Sequence, residues 1–171
     1  MVDKTAALNG VMLQMFNHGL TAATLFWFVG LMEQRSGGCR GLDDFGGLRR
    51  VAPVLCGLMG IALFSSLGLP GLNGFVGEFL IFKGAFPLAT WAAALSALGL
   101  LLTAVFLLLL LQRVFYGPPN PGVAGFPDLS GAERAALACP MGLMFVLGLY
   151  PQLLLGPINS TAMQMVRAFG F

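Results

Sequence analysis

The sequence predicts an all-α fold: a polytopic membrane helix bundle of about four transmembrane helices, the second of them broken at a proline. Three observations carry that expectation. Of the 171 residues, 57% are hydrophobic and 9% charged, with a mean hydropathy of +0.86, whereas a soluble domain carries roughly a quarter charged residues. Apolar stretches long enough to cross a bilayer recur along the chain. One of them is too long for a single crossing and is interrupted by Leu69-Pro70-Gly71-Leu72-Asn73-Gly74.

A transmembrane helix takes about 20 mostly apolar residues, and four stretches meet that measure, over residues 9–32, 51–86, 90–115 and 132–155. As one helix the second would reach ~54 Å, against a hydrocarbon core of ~30 Å. Pro70 removes a backbone donor and clashes with the preceding turn, and Gly71 and Gly74 weaken the helix beside it. The span therefore reads as two half-helices joined by an unwound turn near residues 69–74, the second opening at Asn73 as its N-cap. The leucine-rich third span reads as a lipid-facing or core helix, with Ser96, Gly99 and Thr103 as a close-packing stripe. Residues 159–169 read as a short interfacial helix. No linker divides the chain, so residues 1–171 are expected to form a single membrane domain.

Orientation follows from the links, because Lys and Arg near span ends are retained on the cytoplasmic side. Loop 33–50 carries Arg35, Arg40, Arg49 and Arg50, and loop 117–130 is flanked by Arg113 and Arg134. The link around Pro87 and Leu88 has no charge beyond Lys83. Both basic loops are thus expected in the cytoplasm and both termini outside. A net charge of +2 spread over nine basic and seven acidic residues makes no basic stripe, which excludes a nucleic-acid partner. The lipid bilayer is the expected surrounding. Cys39, Cys56 and Cys139 show no paired ligand spacing and read as buried inert thiols. The N-terminus lacks the apolar run and cleavage site of a signal peptide, so the first span is expected to do the targeting. No glycine-rich phosphate loop, metal-ligand cluster or Ser/His/Asp set is visible, and neither cofactor nor bond-breaking chemistry is expected in this chain.

Glu78 is the sharpest candidate. A carboxylate in mid-membrane costs ~2.5–3.5 kcal/mol on insertion scales, and unwound backbone persists in a membrane only inside protein or beside a wet cavity. Desolvation and the positive end of a helix opening at Asn73 act on Glu78 in opposite senses, which suits a group that gains and loses a proton. The alternative is a structural carboxylate paired with a cation from another helix. On the first span Gln14, Asn17, His18, Thr21 and Thr24 fall within an arc of ~120°. That stripe serves either as a proton relay centred on His18 or as a polar helix-packing seam. Lys83 reads as a snorkelling residue, with the mouth of an exit path as its functional reading. Ser65 and Ser66 either satisfy carbonyls freed by Pro70 or line a wet path. Asn73 is placed on the same polar path.

The runs HGLTAATLFWFVGLMEQR, ALFSSLGLPGLNGFVGEFLIFKGAF and LLQRVFYGP resemble the C-terminal part of the antiporter-like, proton-pumping membrane subunits of respiratory complex I. Within that family the M-type, or chain 4, is the most similar, and the likeness covers nearly the whole chain. The resemblance implies about fourteen spans in the full subunit, of which these are the last four. The chain would then be a fragment, a split gene product or an incomplete reading. It implies that Glu78 holds the broken-helix position of the distal half-channel, a lysine in the L-type and N-type subunits. It implies that His18 falls on the hydrophilic axis of the membrane arm and relays protons. The implied function is proton translocation in an NADH:quinone oxidoreductase of the bacterial plasma membrane. The implied partners are the L-type and N-type neighbours, and NADH, FMN, iron–sulfur clusters and quinone would sit on partner subunits. Two rival readings remain: a subunit of an Mrp-type cation/proton antiporter, and a truncated structural module without transport of its own.

Overall fold

The computed structural model describes residues 2–168, with side chains from Lys4 onward. Among the described residues the fold is all-helical, with α1 at Val2–Arg35, α2 at Pro53–Ser66 and α3 at Asn73–Ala85. Helix α4 spans Thr90–Leu111 and runs on as a π-helical turn over Gln112–Tyr116. Helices α5, Gly131–Leu149, and α6, Gln152–Ala168, complete the order. Three helices, α1, α4 with its π extension, and α5, are long and apolar enough to cross a membrane. At 14 and 13 residues, α2 and α3 are each ~20 Å long. Neither is long enough to cross a membrane alone, and the two helices lie within the stretch 51–86 that the sequence marks as one interrupted span.

The break differs from expectation in place and cause. Helix α2 ends at Ser66, before Pro70 is reached. Gly68 takes the left-handed conformation at φ 71°, its N–H bonds to Ser65 O at 3.2 Å, and Leu69 N–H bonds to Phe64 O at 3.1 Å. That pair of bonds is a Schellman cap, which needs a residue without a Cβ penalty at Gly68. Pro70 follows two residues later and is exposed. Asn73 and Gly74 are already helical, and the N-cap is Leu72 rather than Asn73. The Asn73 side chain is engaged across the break instead of capping its own helix.

Helix α1 runs antiparallel to the broken pair. Going up α1, Gly10 lies against Gly77 and Ile81, Gln14 against Glu78, Asn17 against Asn73, and Thr21 against Ser65. The α1–α3 contact is the most extensive in the chain. It is close because both sides lack side chains where they meet: a Cβ on Gly10 would lie 2.6 Å from Ile81 N and 2.8 Å from Gly77 O. Small residues at facing positions let helix backbones approach in this way.

Loops 33–50 and 117–130 fold together at one end of the bundle. Asn120 donates from its backbone N–H to Gly46 O at 3.3 Å and from its side chain to Asp44 O at 2.9 Å. Phe45, Leu48, Val123, Phe126 and Leu129 pack there with Leu55 and Phe115 into one apolar core. Asp128 closes the start of α2, accepting from Val54 and Leu55 N–H at 2.9 Å each, so a residue 73 positions away does what the local cap, Ala52, cannot.

Other expectations are corrected. The fourth span stops at Leu149 rather than 155, because Tyr150 precedes Pro151 and takes a non-helical conformation (φ −131°, ψ 67°). Leu153–Leu155 belong instead to α6, a longer helix than the expected tail. It packs along α1, with Asn9 Nδ2 donating to Asn159 Oδ1 at 2.8 Å. Phe169, the end of that expected tail helix, lies outside the described residues. Helix α4 is almost wholly exposed along its leucines. Ser96 and Thr103 donate to carbonyls of their own helix at 2.9 Å, and Ser96 and Gly99 are exposed, with nothing within 4 Å of a Cβ on Gly99, so among the described residues no helix packs closely at these two positions. Of the thiols only Cys56 is buried; Cys39 is partly covered and Cys139 is exposed, on the face of α5 opposite Leu137, Met141 and Met144.

Candidate functional site at the helix break

Glu78 lies on the second turn of α3, and its side chain leans back toward the helix start, as long side chains on helices do. That direction carries the carboxyl group across the break to the end of α2. A Cβ built on Gly68 would collide with Glu78 Oε2 and sit 3.2 Å from the carboxyl carbon. Two helix ends of opposite sign, the last turn of α2 and the first of α3, therefore meet near this carboxyl. The positive end alone had been expected. Gln14 Nε2 donates to Glu78 Oε1 at 3.3 Å. Among the described residues Glu78 has no cationic partner; the ion pairs are Arg35–Glu133, Arg40–Glu33 and Arg113–Asp43.

One turn along α1 a buried polar network spans the break. Asn17 Nδ2 donates to Asn73 O at 2.6 Å, and Asn73 Nδ2 returns a bond to Asn17 O at 3.3 Å. The Ser65 hydroxyl donates to Asn73 Oδ1, and the Thr21 and Ser65 hydroxyls lie 3.4 Å apart. Two amide oxygens, Gln14 Oε1 and Asn17 Oδ1, are buried with no partner among the described residues. A buried acceptor without a donor is expensive enough to call for explanation.

The remaining candidates separate from this cluster. Thr24 is buried but donates to Leu20 O of its own helix at 2.7 Å. Ser66 is half-buried and stands outside the network. His18 is exposed. Gln14, Asn17, Thr21 and Thr24 fill an arc of only ~80°, and His18 lies ~60° beyond Thr21, so the stripe divides into a seam against the broken helix and a histidine facing out of the chain. Lys83 is exposed in the last turn of α3, away from the cluster. Gly71 is left-handed at φ 94° and receives α5: a Cβ on Gly148 would lie 2.6 Å from Gly71 C. A Cβ on Gly74 would strike Ser65 O.

Sequence reasoning passed over Gly68, Gly77 and Gly10. Gly68 stands two residues ahead of a proline, a helix-stop signal. Gly10 and Gly77 are facing small residues, visible only once α1 and α3 are paired.

The family described as NADH:quinone oxidoreductase/Mrp antiporter, transmembrane, matches residues 1–107, which hold this whole cluster. The chain belongs to that family. NADH-quinone oxidoreductase subunit M of Mycobacterium tuberculosis (strain ATCC 25618 / H37Rv) is 37% identical over 169 residues, covering 99% of this chain and 30% of that protein. NAD(P)H-quinone oxidoreductase chain 4 1 of Synechococcus sp. (strain JA-3-3Ab) is 38% identical over 156 residues, covering 85% of this chain and 30% of its own length. The chain thus spans less than a third of the length of the curated relatives it matches. Among solved structures, a chain of respiratory complex I from Thermus thermophilus with bound NADH superposes with a TM-score of 0.86 at 28% identity, over 95% of this chain and 34% of that one. A chain of the Mrp complex from Dietzia sp. DQ12-45-1b shares the fold, with a TM-score of 0.77 at 23% identity over 91% and 37% of the two chains.

Proposed function

We propose that the chain is part of a proton-translocating membrane-arm subunit of an NADH:quinone oxidoreductase and carries its distal half-channel, with Glu78 as the group that takes up and releases the proton. The observation that carries this reading is the Glu78 carboxyl, set against the unwound turn at Gly68 and, among the described residues, bonded to the neutral amide of Gln14. A carboxylate kept in a membrane as a structural ion is paired with a cation. This one has none among the described residues, so its charge can change without breaking an ion pair.

The Asn17–Asn73–Ser65–Thr21 network holds the break in one geometry and leaves Glu78 free of backbone bonds. His18 faces outward, so its role as a relay joins Glu78's neighbourhood to helices outside this chain, in the remainder of the subunit or in its L-type and N-type neighbours. NADH, FMN, iron–sulfur clusters and quinone belong to partner subunits, and the bacterial plasma membrane, with both termini outside, is the proposed setting.

The test is Glu78→Gln in the assembled complex, reconstituted in sealed vesicles. The proton yield per NADH is expected to fall while assembly and subunit content survive; an unchanged yield overturns the reading. Sodium-dependent proton exchange without NADH oxidation would place the chain in an Mrp-type antiporter instead. Loss of assembly alone in the variant would support a structural carboxylate.

A further inference from the structure

We infer that Gln14 is a positioning residue that binds the proton-bearing form of Glu78 through its unused amide oxygen, an inference that rests on the protonatable role proposed for Glu78. A carboxylate can only accept hydrogen bonds. It therefore uses the Gln14 N–H, at 3.3 Å, and leaves Gln14 Oε1 buried without a donor. A protonated carboxyl has a hydroxyl to give, and Gln14 Oε1 is the free acceptor on the same planar amide. The torsion that turns a carboxyl group is broad. Turning it brings the Glu78 hydroxyl to Gln14 Oε1 while the Glu78 carbonyl oxygen keeps the bond from Nε2. Two opposed hydrogen bonds then join two planar groups, and the orphaned acceptor is satisfied. One O–H bond forms on Glu78 when the proton arrives and breaks when it leaves, and Gln14 loses no proton in either step.

The setting of Gln14 supports this. Gly77 faces it with no Cβ, and a Cβ there would lie 3.1 Å from Gln14 Cβ and strike Gln14 Oε1, so the amide is held in a fitted slot beside the residue that precedes Glu78. Asn17 Oδ1 also lacks a donor, but the Asn17 amide nitrogen bonds to Asn73 O at 2.6 Å, whereas the Gln14 amide is the one already bonded to the Glu78 carboxyl. Among the described residues no charged group pairs with that carboxyl: on α3 Lys83 is exposed in the last turn, on α1 His18 faces outward while Lys4, Glu33 and Arg35 lie in the end turns, α2 carries no charged residue, Arg167 is exposed in the last turn of α6, and Glu133 and Arg134 of α5 sit in its first turn at the far end of the bundle.

The experiment is infrared difference spectroscopy on the assembled complex, following the carboxyl C=O band that Glu78→Gln removes. In Gln14→Met that band is expected to move to higher wavenumber, as a carboxyl stripped of its hydrogen-bond partner does. Gln14→Asn, too short to reach, is expected to do the same and carries the test if the Met variant fails to assemble. A band at its original position in an assembled Gln14 variant overturns the inference. Absence of any band removed by Glu78→Gln overturns the proposed function and this inference with it, so the two failures are told apart.

Discussion

The Glu78 carboxyl occupies the space beside Gly68 where any other residue would place its Cβ. One glycine therefore does two things: it ends α2 in a left-handed turn at φ 71° and it gives the carboxyl its seat. Gly68→Ala should strain the turn by about 1–2 kcal/mol and push the Glu78 side chain off Gly68 toward α1. The expected result is an assembled complex with a lowered proton yield, read in sealed vesicles. Gly60→Ala, in mid-helix with open space around its Cα, is the control and should leave the yield unchanged. Equal yields in the two variants would separate Gly68 from the function of Glu78.

Asn73 and Asn17 clasp each other across the break, each donating to the other's backbone carbonyl. Asn73→Ala removes that return bond and the acceptor of the Ser65 hydroxyl, which is then buried with Thr21 alone. Leaving a buried polar group unsatisfied costs about 1–3 kcal/mol. The variant should lower the thermal stability of the complex. It should also raise protease sensitivity at residues 67–72, where the two half-helices are joined. Stability and cleavage unchanged from the parent would show that the clasp does not hold the break.

How much of this was legible in the sequence varied with the range of the physics. That residues 51–86 form two helices and not one was readable from length against bilayer thickness, and Glu78 stood out as a candidate from the cost of a carboxylate in lipid. The stop at Gly68 was missed because proline is the louder breaker, yet a Schellman cap is local and its glycine stood in view. The seam of Gln14, Asn17, Thr21 and Thr24 was readable as a stripe. That His18 falls outside it was not, since ~60° of helix rotation separates contact from exposure and only the partner helix decides the margin. The role of Asp128 could not be read at all, because its partners at Val54 and Leu55 are 74 and 73 residues away.

Asp128 makes a prediction with a definite sign. Burial pushes its carboxyl up, but the N–H groups of Val54, Leu55 and Leu129 and the nearby charge of Arg134 outweigh burial and hold it below the ordinary value of 3.8. Since the folded carboxyl is the stronger acid, its contribution to stability is present above that ordinary value and is lost as the pH falls below it through the folded one. Asp128→Asn should therefore be less stable than the parent near neutral pH, and the gap should narrow below about pH 4. Thermal denaturation at the two pH values checks it, and a gap independent of pH would remove Asp128 as a charged cap of α2.

The two ion pairs near the end of α1 should behave differently because their exposure differs. Arg35 meets Glu133, at the start of α5, with side chains 14% and 24% exposed, while Arg40 meets Glu33 with 74% and 33%. An exposed pair is worth about 0–1 kcal/mol. The Arg35 nitrogen reaches both Glu133 oxygens, at 2.7 and 2.5 Å, and Glu133 also closes the capping box with Ser130. Removing Arg35 thus leaves a shielded carboxylate whose remaining partners are Ser130 and the first turn of α5. A double-mutant cycle over Arg35→Ala and Glu133→Ala should give a coupling of about 1–3 kcal/mol. The same cycle over Arg40 and Glu33 should give a smaller coupling, with raised salt reducing both and the exposed pair more. Equal couplings would mean that α1 and α5 are held at this end by the apolar core around Phe115 and Leu129, with the ion pair adding nothing to their register.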